Sequence, residues 1–294
     1  MTRYRPIMTL KTAQIEALYK GSIDMHVHIA PDPEWDRRLD VVETARYAAQ
    51  GGMRGYVAKS FFYPTTTESL AARHAVEDTQ VFGSVTIGYS TTGGLDYAPV
   101  TIRNHAKLGC KVVWFPAFDA EYCRKGIGRE GGINILDEKG SLKKEAVEVL
   151  EIIKEYDMVL CKGHISYPET YALFAKAAEM GITKMVITHP LSDSWGLFSE
   201  DEVQSLVDLG GYVEHVFGST QARLGNLDPS DMVDWVHKYG AERSIMSTDL
   251  AQCMDPNPAE GMRTFIGMML QFGCTDEEVK LMCQDNPAKL LGIE

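Results

Sequence analysis

Apolar and polar positions alternate along the chain in two rhythms. Short runs with the two-residue period of a strand recur at 22–28 (SIDMHVH), 54–60, 81–89, 111–118, 158–164, 184–189, 211–217 and 243–249. Between them lie amphipathic stretches with helical spacing, at 41–52, 68–79, 142–157, 168–181 and 231–240. Several of these open on Ser, Asp or Pro and close on Gly, the residues that suit helix ends. Eight strand-like runs separated by helices predict an α/β fold, a (β/α)8 barrel formed as a single domain over residues 1–294. Residues 1–21 would be a short N-terminal extension and 258–294 a set of C-terminal helices. A doubly wound open sheet is the competing arrangement, but neither G-x-G-x-x-G nor G-x-x-x-x-G-K-[ST] occurs. The segment 119–141 is too long for a routine connection and predicts a lid or a substrate wall.

The polar residues at the ends of these runs carry the chemistry. His26 and His28 are two apart on a strand, so both face the same way. They end strand one, on the side of a barrel where active sites are built. The corresponding end of strand five carries His164, that of strand six His189, and that of strand eight Asp249. His74, His105 and His237 fall inside helical patterns, where solvation or packing accounts for them. A lone histidine at a strand end is an ordinary hydrogen-bonded polar residue. Two on one face need a shared partner or pay for desolvation, and five metal-type ligands on four strand ends make a constellation. Imidazoles and a carboxylate without a thiolate suit zinc, with manganese, iron or nickel as alternatives. Such an ion lowers the pKa of a bound water to about 7, and Asp249 beside it would carry the proton.

Other residues are candidates for contact with substrate. Arg37 and Arg38 follow strand one, and a guanidinium there can grip a carboxylate; a solvated pair is the ordinary alternative. Glu214 and His215 are neighbours in strand seven, so at most one of them points inward. The aromatic run FFYP (61–64) would make an apolar wall or pack in the core, and Trp195 lies in a loop after His189. Cys253 reads as a bystander.

Composition narrows the partners. The 294 residues carry a formal net charge of −12, which disfavours nucleic acid and anionic membranes. With 45% hydrophobic and 24% charged residues the chain has the balance of a globular protein. Six scattered cysteines without a C-x-x-C pair suit reduced thiols. No run has the apolar length of a signal or a membrane span. A cytoplasmic protein with a small-molecule substrate, carboxylate-bearing if the arginines contact it, is the expectation; a homo-oligomer is compatible with it.

The pattern resembles the amidohydrolase superfamily: His-x-His after strand one, a histidine after each of strands five and six, and an aspartate after strand eight. The resemblance runs from Ser22 to Asp249, and the later DNPAKLLGIE (285–294) is also of this kind. HVHIAPD, GGLDYAPV, KVVWFPAFDA, GHIS, ITHP and ERSIMSTDLAQ resemble an amidohydrolase-like subfamily that implies no particular substrate. The superfamily implies a metal-dependent hydrolase acting on an amide, lactone or related carboxylic derivative. It assigns His26, His28, His164, His189 and Asp249 to one or two divalent ions. One departure concerns the bridging carboxylated lysine of two-metal members. Strand four ends in WFPAF, and its only lysine, Lys111, stands at the other end. Lys59, ending strand two, is then either a carbamate bridge or a plain ammonium that meets a substrate carboxylate or Asp249. The opening IDMHVHIAP also resembles superfamily decarboxylases that use one metal and an arginine, so a lyase is the second reading. A catalytically silent metal-binding protein is the third. STDLAQ lacks the terminal Asp-x-His of related phosphoesterases, and strand four lacks the glutamate of TatD-like nucleases.

Overall fold

Every predicted strand forms in the computed structural model, which describes residues 10–192, 197–221 and 227–293. In chain order the strands are β1 (Ile23–His28), β2 (Gly55–Lys59), β3 (Gln80–Phe82), β4 (Ser84–Thr86), β5 (Val112–Trp114), β6 (Val159–Cys161), β7 (Met185–Ile187), β8 (Tyr212–Val216) and β9 (Ser244–Ser247). All six residues of β1 are buried, polar ones included, as in a parallel sheet covered on both sides. Parallel strands alternating with helices are the succession of a (β/α)8 barrel.

The third predicted strand is split at Gly83 into β3 and β4. Thr65 donates its backbone N–H to Ser84 O at 3.0 Å, and Ser84 donates back to Thr65 Oγ1 at 2.9 Å. A Cβ on Gly83 would lie 2.4 Å from Thr66 Cα. The Thr65–Thr66 backbone therefore crosses where a side chain would stand, and only glycine leaves room.

The chain resolves into two compact units. The first holds the segment through Ala58, Glu68–Phe82 and the segment from Glu214 onward. Here β2 pairs in parallel with β3 in the register Gly55↔Gln80 to Val57↔Phe82. The end of β1 is tied to the segment after β9, with Asp249 donating to His26 O at 2.9 Å and His28 donating to Leu250 O at 3.1 Å. The helix Val41–Gly51 follows β1 because Asp40 caps it through Val42 N and Glu43 N, with Glu43 completing a capping box. Gly52 ends it at φ 75°. The extension contributes one helix, Thr12–Tyr19, which packs on the C-terminal helix Pro258–Phe272.

The second unit holds Lys59–Thr67 and Gly83–Val213. Its strands run in parallel order β4-β5-β6-β7-β8. The helices Lys144–Glu155, Tyr167–Glu179 and Glu200–Asp208 bury Val, Leu, Ile and Phe on one face. The long segment 119–141 is tied to the body of this unit. It forms a short helix, Glu121–Gly126, and buries Ile133 and Ile135. Glu169 clamps it, accepting from Ile135 N at 3.1 Å while its other oxygen closes a capping box with Ser166. No helix among the described residues is long and apolar enough to cross a membrane.

Candidate functional site

In the first unit the ends of β1, β8 and β9 bring four polar side chains together. His26 Nε2 and His28 Nε2 each lie 3.2 Å from the same atom, Asp249 Oδ1. The other ring nitrogen of His26, Nδ1, lies 3.3 Å from Glu214 Oε2. His26 and Glu214 are buried, and the Asp249 side chain retains 12% of its exposure. Both nitrogens of His26 thus face carboxylates. A neutral imidazole carries one proton, so only one of those contacts can be its hydrogen bond. If Nδ1–H donates to Glu214, the Nε2 lone pair faces Asp249 Oδ1, and two lone pairs at this distance call for a cation.

The spacing suits one. A tetrahedral ion with bonds of about 2.0–2.1 Å has ligand–ligand edges of about 3.3 Å. His26, His28 and Asp249 form a group whose ligand atoms all lie within 4.8 Å of one another. Glu214 stands where an outer carboxylate would fix the tautomer and orientation of His26 if an ion were bound there.

Asp24, two residues before His26, has a role its sequence position alone did not reveal. Its carboxylate is fully buried and accepts from His26 N at 3.1 Å, Thr248 N at 3.0 Å and Thr248 Oγ1 at 2.6 Å. One side chain therefore bridges the backbones that carry His26 and Asp249. Burial raises its pKa to about 7, and the Thr248 hydrogen bonds oppose that rise. Asp249 itself sits at φ 52°, and Ala251 at φ 151°. Such backbone costs energy and persists where the surroundings over-determine it; Asp255 accepts from both Ala251 N and Gln252 N.

The two arginines after β1 build their own loop. Arg37 Nε donates to Asp32 Oδ2 at 2.9 Å, with both side chains at most 3% exposed. Its guanidinium also lies 5.2 Å from the Trp35 ring centroid. Arg38 donates to Asp255 O at 2.8 Å. Residues Ala30–Arg37 line a cleft of about 410 Å³.

Strand seven of the sequence pattern is β8, and it resolves the choice between neighbours. Glu214 faces His26, with Oε2 3.3 Å from its Nδ1. Alternation turns His215 to the other face of the strand. There it is 1% exposed, and neither ring nitrogen has a hydrogen-bond partner. Burial lowers its pKa to about 4. The expectation that His215 contacts substrate is corrected to a packed, neutral imidazole.

In the second unit the ends of β6 and β7 carry the other two predicted histidines. The rings of His164 and His189 are neighbours, with centroids 5.1 Å apart. His189 sits at φ 29°, and Gly163 at φ 65° lets the chain turn into His164. A Cβ on Gly163 would lie 2.1 Å from Phe115 O. Phe118 stands edge-on to His164 at 5.6 Å and to Phe61 at 4.5 Å, and Phe61, the first residue of the FFYP run, is buried. The 119–141 segment adds Cys123, whose Sγ lies 3.9 Å from His164 Nδ1. Burial, reinforced by Asp119, pushes that thiol up to about 12, so it stays protonated.

Lys59 is fully buried at the end of β2, with Nζ 4.8 Å from the Trp114 centroid and 4.9 Å from that of Phe61. Ring faces attract cations, which suits an ammonium better than an anionic carbamate. A second buried lysine, Lys162, donates to Gly163 O at 3.1 Å and lies over Phe198. Cys123 and Lys162 escaped the sequence reading because neither belongs to a ligand pattern. Cys253 is exposed, and Trp195 lies outside the described residues.

The fold has wide company among solved structures. An amidohydrolase from Pseudomonas aeruginosa matches with a TM-score of 0.64 and 11% identity, over 96% of this chain and 98% of that one. The probable dipeptidase PvdM from Pseudomonas aeruginosa matches with a TM-score of 0.63 and 14% identity, over 95% of this chain and 97% of that one. The dihydroorotase of Campylobacter jejuni matches with a TM-score of 0.55 and 11% identity, over 94% of this chain and 84% of that one. These likenesses establish the fold as that of the amidohydrolase barrels. No curated protein matches the sequence. A family model does, across residues 21–214, and the chain therefore belongs to the family described as "Family of unknown function (DUF6282)".

Proposed function

We propose that the chain is a metal-dependent hydrolase acting on an amide, lactone or related carboxylic derivative of a small molecule. One observation carries the reading: two histidine nitrogens meet at a single oxygen of Asp249, and one of the two, His26, is held from behind by Glu214. His26, His28 and Asp249 would hold the ion; their donors suit zinc, with manganese, iron or nickel as alternatives. His164 and His189 join the proposal on the resemblance and on their pairing in the second unit. Bound at such donors, a divalent ion supplies Lewis acidity and makes water acidic enough to ionise near neutral pH. Glu214 keeps the His26 proton on Nδ1, and Asp24 holds the backbones of His26 and Asp249 in place. Asp249 accepts the proton of the attacking water and returns it to the leaving group. Lys59 serves as an ammonium. The fold relatives bear the names of hydrolases, which agrees with this direction.

The decarboxylase reading needs an unengaged arginine near β1. Arg37 is paired with Asp32, whereas Arg38 donates one N–H to Asp255 O and is otherwise exposed, so Arg38 is the arginine this second reading would use. Elemental analysis of the purified protein tests the site. The double variant His26→Ala/His28→Ala should lose one ion per chain. Oxygen-18 from labelled water should enter the product, with no release of carbon dioxide. Unchanged metal content in the double variant, or product free of solvent oxygen, would overturn the proposal.

A further inference from the structure

A second group of metal-type ligands converges in the first unit, away from the strand ends, on residues whose sequence pattern suggests only solvation or packing. His237 lies in the last turn of the helix Pro229–Tyr239. Cys274 follows Gly273, which ends the helix Pro258–Phe272. Glu278 lies in the first turn of the helix Asp276–Lys280. One ligand atom from each lies within 4.8 Å of the other two, and His237 Nε2 is 3.8 Å from Glu278 Oε1. From these three side chains we infer a peripheral cation site of the zinc class, independent of the hydrolase reading.

Local structure holds the donors. Glu278 Oε2 accepts from Thr275 N at 2.7 Å, and Thr275 Oγ1 accepts from Glu278 N at 3.2 Å. That capping box fixes the carboxylate by one oxygen and leaves Oε1 on the His237 side. Cys274 N donates to Met269 O at 3.0 Å, which anchors the cysteine backbone to the preceding helix. Burial is graded: Cys274 is 0% exposed, whereas the His237 side chain is 48% exposed. An ion would arrive from solvent at the imidazole and carboxylate and close onto the sulfur beneath.

The donor set names the class of cation. Thiolate, imidazole and carboxylate together are the ligands of zinc and of its spectroscopic substitute cobalt, not of magnesium or calcium, which take oxygen. A tetrahedral site with Zn–S near 2.3 Å and Zn–N or Zn–O near 2.0–2.1 Å has edges of about 3.3–3.6 Å. Contraction from at most 4.8 Å is therefore no more than about 1.2–1.5 Å, within reach of side-chain torsions. Three protein ligands leave a fourth position for water. Binding displaces the thiol proton, so affinity rises with pH. Because the ligands come from the helices Pro229–Tyr239 and Asp276–Lys280 and from the turn that precedes the latter, the ion would clip these segments together.

Sulfur separates this site from the strand-end group, which has none. Titration of the full-length protein with Co2+ should produce a near-ultraviolet thiolate-to-cobalt charge-transfer band that saturates at one ion per chain. Cys274→Ser should abolish the band, and His237→Ala should weaken the Co2+ affinity of the band at least about tenfold. Zn2+ should raise the Tm of the wild type by more than that of Cys274→Ser. Absence of the band at saturating Co2+, or its persistence in Cys274→Ser, would overturn the inference. Should Cys274→Ser fail to fold, His237→Ala decides through a half-exposed position: an unchanged band and affinity there would equally refute it.

Discussion

His215 offers a direct measure of what burial of an unpartnered imidazole costs this fold. The ring sits in β8 with 1% exposure and no hydrogen bond to either nitrogen. Burial lowers its pKa to about 4, and the neighbouring Glu214 carboxylate opposes that shift without cancelling it. In the unfolded chain the pKa returns to about 6.5. Between these values the unfolded state binds the extra proton, so stability rises with pH across the window and is lost on acidification. Linkage gives a loss of about 2 kcal/mol on going from pH 7.5 to 5, and about 3 kcal/mol by pH 4. His215→Leu removes the titrating group and leaves no buried nitrogen without a partner. At pH 7.5 the variant should be as stable as the wild type or more so. Urea unfolding of both proteins at pH 7.5 and pH 5 checks this, provided the m-values agree. The wild type should lose about 2 kcal/mol more than His215→Leu over that interval. Parallel losses would refute the argument and mean that the ring is solvated or paired.

Two further predictions follow from the residues that shape the strand ends. Asp24→Ala leaves three buried donors without an acceptor, His26 N, Thr248 N and Thr248 Oγ1. At about 1–3 kcal/mol for each orphaned group the variant should lose at least about 3 kcal/mol in chemical denaturation, and its metal content should fall. Gly163→Ala places a Cβ against Phe115 O at a φ of 65° and should destabilise by several kcal/mol or prevent folding, whereas Gly126→Ala, in open space at a helix end, should be neutral or slightly stabilising in the same thermal melt.

Much of the architecture was legible because its signals are local. The two-residue period of SIDMHVH places His26 and His28 on one face whatever the rest of the chain does. Asp40 before Val41 and Ser166 before Tyr167 cap their helices through groups two and three residues away. The break at Gly83 was not legible, because it depends on Thr65 and Thr66 crossing from another part of the chain. The same holds for the 119–141 segment: its length predicted a lid or wall, but the Glu169 carboxylate that ties Ile135 down comes from a helix that begins more than twenty-five residues after the segment ends.

By itself the sequence determined the alternation of strands and helices, the strand ends bearing His26, His28, His164, His189 and Asp249, and the acidic balance of the chain. These follow from period, cap chemistry and charge, which act over a few residues or none. Tertiary structure alone decided that Glu214 faces His26 while His215 is packed away, and that Asp24 ties the backbones of His26 and Asp249 together. It also gathered His237 and Glu278 from two helices and Cys274 from the turn before the second of them. Each of these depends on which strand face turns inward or on which distant segment arrives beside it, and no local pattern encodes either.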